Sequence, residues 1–294
     1  MTAPADLRHA LALQPVLARP GLYRGELDRS WSFLLPSGGV LMSLGLAAMR
    51  MELARLGVSH WHPSAGTATF CSAIAEGALD VEVTVLRSGK TAAQLRANVR
   101  PRGLDAAPGD VGLEVTATFV EPRPDPTIAD GPFVAPPDMP FEAAEIYDST
   151  HTGVTPPPFY RNLEVRRGLG DVWWTKTWPG GQSRVARWYR YLVPPALEDG
   201  RLDPLALPPI ADTMASSVHQ ALGSRNPPIL FPSLDLTVHF CAPVQGRADE
   251  PMLVDAHATS IHAGTATARA EVWQAGMLLA TATQSMTLRQ VKAR

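Results

Sequence analysis

Ile210, Met214, Val218 and Leu222 recur at every fourth position, the spacing of one apolar stripe on a helix. Pro208 and Pro209 suit its entrance, where a missing N–H costs nothing, and Gly223 suits its end. The pattern predicts one helix over 208–222, with Asp212 near its first turn and off the stripe. Beyond Asn226-Pro227-Pro228 the period changes. Leu234, Leu236, Val238 and Phe240 alternate with Ser233, Asp235, Thr237 and His239, which predicts a strand with one apolar and one polar face.

The rest of the chain supplies a similar plan earlier. Residues 1–20 read as a helical arm through Leu7, Leu11 and Leu13, and Tyr23 to Leu35 as extended chain. Ser37-Gly38-Gly39 opens a helix in which Leu41, Leu44, Ala48 and Met51 keep helical spacing and Gly57 marks the stop. Gly45, Ala47 and Ala48 make that helix small-sided, as burial on most faces requires. Strands are predicted at 67–75, 79–87, 91–100 and 111–120. Ten of the 28 prolines lie between Glu121 and Phe159, too many for a strand ladder, so that stretch reads as a connector.

After the connector come strands at Val172–Lys176 and Val185–Tyr191, the 208–222 helix, and strands near 232–241, 252–262, 264–275 and 277–289. Val85–Ala92 matches Ser260–Thr267 around a glycine turn, Phe70-Cys71 matches Phe240-Cys241, and Thr116–Thr118 matches Thr281–Thr283. Their shared order predicts a duplicated α+β unit: 1–120, a connector over 121–159, and 160–294. The same matches set Gly39, or Gly38, opposite Asp212, and Phe119 opposite Gln284. One polar centre per chain follows, in the second half.

Composition narrows the function. A net charge of −2 over 294 residues points to no nucleic-acid or membrane partner. Cys71 and Cys241 read as free, buried thiols of a reducing compartment. No signal peptide or apolar run of spanning length is seen, so the expected location is the cytoplasm. His60 and His62 lack the spacing of a metal site, and no Gly-x-Ser-x-Gly elbow occurs.

Tyr23-Arg24-Gly25, the Gly38-Gly39 helix start, Leu86-Arg87-Ser88-Gly89-Lys90 and the run from Glu271–Gly276 to Thr283-Gln284-Ser285 resemble the acyl-CoA thioesterase II (TesB-like) family, from about residue 20 to 290. The resemblance implies a double hotdog, a long antiparallel sheet wrapped on a central helix in each repeat. It also implies a homodimer, acyl-CoA as substrate, and neither metal nor cofactor. Residue by residue, the family's Asp, hydroxyl and Gln fall on Asp212, Ser233 and Gln284, with Ser in place of the commoner Thr.

In that reading Asp212 takes a proton from water, while Gln284 and Ser233 position it. Backbone N–H groups near Gly38 and Gly39, or near Asp212, would meet the substrate oxyanion. By position alone Asp212 is equally a helix-start residue, and Ser233 a strand start after Pro232. His219 shares a rough face with Asp212, but six residues intervene where hotdog hydratases have four. Hydration or dehydration of an acyl thioester, and acyl-CoA binding without catalysis, are the alternatives. The Trp173-Trp174-Trp178 and Trp188-Tyr189-Tyr191 clusters suit an acyl tunnel or strand packing. Arg161, Arg166 and Arg167 suit coenzyme A phosphates or a solvated surface.

Overall fold

The computed structural model describes residues 3–103, 112–123, 135–147, 155–170, 177–224, 229–241 and 246–290. Helix α1 spans Gly38–Arg55, and every residue from Gly39 to Met49 is buried. Small residues make this possible. A Cβ on Gly45 would stand 2.8 Å from the Val115 side chain, so glycine there lets helix and sheet close up.

The first-half strands are β1 (Leu22–Leu27), β2 (His62–Phe70), β3 (Gly77–Ser88), β4 (Ala92–Pro101) and β5 (Leu113–Val120). The second half supplies β6 (Leu163–Leu169), β7 (Arg184–Tyr191), β8 (Asp235–Phe240), β9 (Met252–His262), β10 (Thr265–Gln274) and β11 (Met277–Thr287). All join one antiparallel sheet in the order β1-β3-β4-β5-β2-β8-β11-β10-β9-β7-β6, with two-residue pieces at Gln14–Pro15 and Glu145–Ile146 closing its ends. The two halves meet at β2 and β8, where Thr67 pairs with Thr237 and their hydroxyls lie 2.9 Å apart. These two threonines are equivalent under the Phe70–Phe240 match, so a pseudo-dyad runs between them.

Register refines the internal repeat. Each half carries a bulge on its long hairpin, between Val85 and Arg87 in β3 and between Ala258 and Ser260 in β9. Superposing the bulges aligns Leu86 with Thr259, two residues from the alignment drawn on the glycine turns. Likewise Gly66 pairs with Ala117, and the Thr237–Thr283 register sets Leu236 opposite Gln284. The counterpart of Gln284 is therefore Ala117 rather than Phe119. Equal turn letters misled because the two hairpins turn differently: Ser88 pairs with Ala93 across four residues, and His262 with Thr265 across two.

Other expectations change in detail. The helical arm reduces to Leu7–Ala10, and the extended 23–35 stretch to β1 followed by a 3-10 turn at Arg29–Trp31. The first half's second strand begins at His62, before the expected Thr67. The strand expected at 172–176 and the Asn226-Pro227-Pro228 turn lie outside the described residues. Cys71 is exposed and Cys241 partly buried, both free. Among the described residues no helix is long and apolar enough to cross a membrane.

Candidate active site

The predicted 208–222 helix is two pieces, α2 (Leu207–Ala211) and α3 (Ala215–Leu222), joined by a 3-10 turn at Asp212–Met214. Pro208 and Pro209 do occupy the entrance, and Gly223 ends α3 at φ +71. Hydroxyls tighten the junction: Thr213 Oγ1 donates to the Ile210 carbonyl at 2.6 Å, and Ser217 Oγ to that of Met214 at 2.7 Å. Ile210, Met214 and Val218 are fully buried, as their spacing predicts. Asp212 is buried too, at 8% exposure, because the tighter turn swings it toward α1.

Its carboxylate sits against the start of α1. Ser37 Oγ donates to Asp212 Oδ2 at 2.9 Å and the Gly39 N–H at 3.0 Å. Gly39 makes the approach possible. A Cβ there would lie 2.3 Å from the Pro208 carbonyl oxygen, so only glycine lets the two helix entrances meet. The N–H groups near Gly38 and Gly39, expected to face substrate, are thus turned at least partly to Asp212. Gly38 remains half-exposed, packed against the Phe70 ring.

Gln284, on β11, completes the arrangement. Its Nε2 donates to Asp212 Oδ1 at 2.7 Å and to Ser233 Oγ at 3.0 Å, while its buried Oε1 has no hydrogen-bond partner among the described residues. The amide orientation follows from that network, since the carboxylate can only accept. Ser233 stands just before β8, on a single bridge to Met286, and the following Leu234 is exposed at 42%. The apolar alternation therefore starts at Leu236, one step later than the sequence suggests. All three predicted side chains meet at one point, with one repeat supplying Ser37 and Gly39 and the other supplying Asp212, Ser233 and Gln284.

Burial pushes the Asp212 carboxyl above its usual pKa, against hydrogen bonds from Gly39, Ser37, Gln284 and the Gly38 backbone that pull it down. His219 lies in edge contact with Trp178, centroids 4.5 Å apart, and with Phe231 at 5.7 Å. Burial and the nearby Arg187 charge lower its pKa to about 4. Arg166 stacks over Phe141 and bonds Glu164, and Arg167 pairs with Glu145, which leaves Arg161 as the exposed member of that trio. Among the described residues no three His, Cys, Asp or Glu converge as metal ligands.

Ser37 and Tyr160 were not singled out as site residues by the sequence. Ser37 showed only the signal of a helix cap, and its side chain does both jobs. Tyr160, on a 3-10 turn at Pro158–Asn162, feels the Asp212 charge and packs on Phe33 at 5.5 Å.

Two buried helices on one continuous antiparallel sheet, related by a pseudo-dyad and with the polar cluster at their shared entrance, define a tandem double hotdog. The chain belongs to the acyl-CoA thioesterase family: the model of the acyl-CoA thioesterase N-terminal domain matches residues 27–120 and that of the C-terminal domain residues 134–288. The fold is that of TesB-like proteins. It is similar to a hot dog fold protein of unknown function from Alicyclobacillus acidocaldarius, with TM-score 0.78, 21% identity, and coverage of 99% of this chain and 100% of that one. It is similar also to the acyl-CoA thioesterase II TesB2 of Mycobacterium marinum, with TM-score 0.69, 21% identity, and coverage of 98% and 99%. The tesB protein of Mycobacterium avium subs paratuberculosis gives TM-score 0.69 at 19% identity over 97% and 98%. Against curated proteins the sequence finds no match.

Proposed function

We propose that this chain hydrolyses acyl-CoA thioesters to the free acid and coenzyme A, using water rather than a protein nucleophile. The observation that carries the reading is the Asp212–Gln284–Ser233 cluster, in which a buried carboxylate lies beside a buried amide oxygen that has no partner among the described residues. A water there donates one hydrogen to Gln284 Oε1 and the other to the open lone pair of Asp212 Oδ1. Asp212 takes that proton as the water oxygen adds to the thioester carbon. The C–S bond then breaks, and the proton passes from Asp212 to the departing thiolate.

Two features support this chemistry. The raised pKa makes Asp212 a stronger proton acceptor than a solvated carboxylate. The N-terminal end of the 18-residue helix α1 is aimed at the cluster, so its positive dipole end favours both the carboxylate and the oxyanion that develops beside it. In this reading the thioester carbonyl approaches beside Gly38, which is half-exposed at that end. The assembled form is proposed to be a cytoplasmic homodimer, which sedimentation at several concentrations tests.

The test of function is thiol release from acyl-CoAs of graded length. The expected result is turnover that saturates with substrate. Tight acyl-CoA binding with no thiol released from any member would overturn hydrolysis in favour of a binding role.

A further inference from the structure

The side chain that the first repeat brings to the cluster is a helix cap, neither acid nor base. Ser37 is 1% exposed and stands at the N-cap of α1. Its backbone is held on both sides, the N–H donating to the Trp31 carbonyl at 3.0 Å and the carbonyl accepting from the Leu41 N–H at 3.0 Å. Its Oγ accepts from the Val40 N–H at 3.5 Å, which directs its single hydrogen to Asp212 Oδ2 at 2.9 Å.

That direction matters for the carboxylate. Ser37 and the Gly39 N–H both bond Oδ2, while Gln284 Nε2 bonds Oδ1 at 2.7 Å. Donors on both oxygens fix the carboxylate plane, and without the hydroxyl the grip on Oδ2 passes to backbone. The residue type fits the place as well. Asp caps a helix as readily as Ser, but here it would set a second carboxylate against Asp212, whereas a hydroxyl caps and donates at once.

The other groups that could titrate or carry charge around this turn are set apart. β9 and β10 pack on it with the apolar row of Val254, Ala256, Ala268 and Ala270, and carry Asp255 and Glu271 in the alternate row. On α3, His219 lies against Trp178 and Phe231. The Arg187 charge acts on His219 and Tyr160. Tyr160 also feels Asp212, but burial keeps its hydroxyl protonated throughout the acid range.

We propose that Ser37 is a positioning residue for the hydrolysis, its hydroxyl fixing the plane of the Asp212 carboxylate so that Oδ1 faces the attacking water. The inference rests on the thioesterase reading and adds to that site a residue from the repeat without the acid. Ser37 neither gives nor takes a proton in the reaction; the proton moves from water to Asp212 Oδ1.

The experiment compares Ser37→Gly and Ser37→Ala with the natural protein by thiol release from acyl-CoA across pH, beside thermal melting. Glycine caps a helix nearly as well as serine and alanine caps it poorly, so the two variants differ in stability while both lack the hydroxyl. The expected loss is the same in both, about tenfold or more in kcat with KM little changed. The acid limb of kcat/KM should also move up by about one pH unit, because losing a hydrogen bond to the ionised form raises its pKa. The glycine variant carries the test alone should the alanine variant fail to fold. A loss that follows Tm, large in alanine and small in glycine, or an acid limb that stays in place, overturns the inference and leaves hydrolysis standing. No thiol release by the natural protein overturns hydrolysis, and the inference with it.

Discussion

Replacing Asp212 with Asn separates the chemical role of the carboxylate from its structural one. Ser37 and Gly39 donate to Oδ2 and Gln284 donates to Oδ1, so Asn can keep its oxygen toward the first two and turn Nδ2 toward Gln284. Gln284 answers by rotating its amide half a turn, presenting Oε1 to the new donor and to the Ser233 hydroxyl, which can donate as well as accept. Every contact survives in neutral form. The charge itself is not what holds the site together, because burial outweighs the hydrogen bonds and the net shift of the Asp212 pKa is upward.

The sign of that shift fixes the pH dependence. A carboxyl with a folded pKa above its unfolded value binds the proton more readily when folded. The stability it contributes is present below the unfolded pKa and falls as pH rises through the folded one. At neutral pH the variant should therefore melt no lower than the natural protein, and its relative advantage should shrink in acid. Activity should behave in the opposite way. Removing a general base costs roughly 10²–10⁴-fold in kcat, or about 3–5 kcal/mol of barrier. The natural protein should also lose thiol release in acid through an apparent pKa above 3.8, the ordinary value for Asp. The assay is thiol release against pH beside thermal melting. A variant retaining kcat within tenfold would refute Asp212 as the base, and a large fall in Tm would show that its charge is structural after all.

The two glycines at the α1 entrance should part company. Gly39→Ala drives a methyl to 2.3 Å from backbone at Pro208 and should cost about 3 kcal/mol or more, roughly 6–12 °C in Tm, whereas Gly38→Ala meets the Phe70 ring at 2.5 Å, which can swing away, and Asp212 Oδ1 at an ordinary contact of 3.5 Å. Differential scanning calorimetry checks both, and equal losses would contradict the packing. Ser233→Ala should lower kcat about tenfold by freeing Gln284 Nε2, while Ser233→Thr keeps the hydroxyl and stays within a few-fold, as steady-state kinetics would read. His219, with its pKa lowered to about 4, contributes stability that is present above the unfolded value of 6.5 and is lost as pH falls toward 4, roughly 3 kcal/mol at most. His219→Phe should flatten the Tm–pH curve in that window, and an unchanged curve would place the acid sensitivity elsewhere.

Period and punctuation carried the fold because each repeat obeys its local rules: a helix opened by Ser37 and small along its sides, a stripe at 210, 214 and 218, and hairpins turned on glycine. They misplaced what depends on counting across irregularities. Thr116–Thr118 and Thr281–Thr283 share letters but not register, so the match of Gln284 to Phe119 slipped by one inward position from Ala117. A 3-10 turn is silent until Thr213 and Ser217 are seen bonding backward, so Asp212 read as a first-turn residue off the buried face.

The chemistry was legible to a different degree for each partner. Resemblance named Asp212, Ser233 and Gln284, but nothing in their spacing requires a carboxylate 72 residues from an amide to meet it. Ser37 and Gly39 come from the other repeat, where Ser37 read only as a helix start and the glycines as donors to substrate, not to Asp212. Duplication explains why the site is asymmetric. Both helix entrances meet at the dyad, one offering backbone N–H groups and a hydroxyl, the other a carboxylate, and two carboxylates in that space would repel each other. With glycine and not an acid at the first half's entrance, the second half can bury its own carboxylate there.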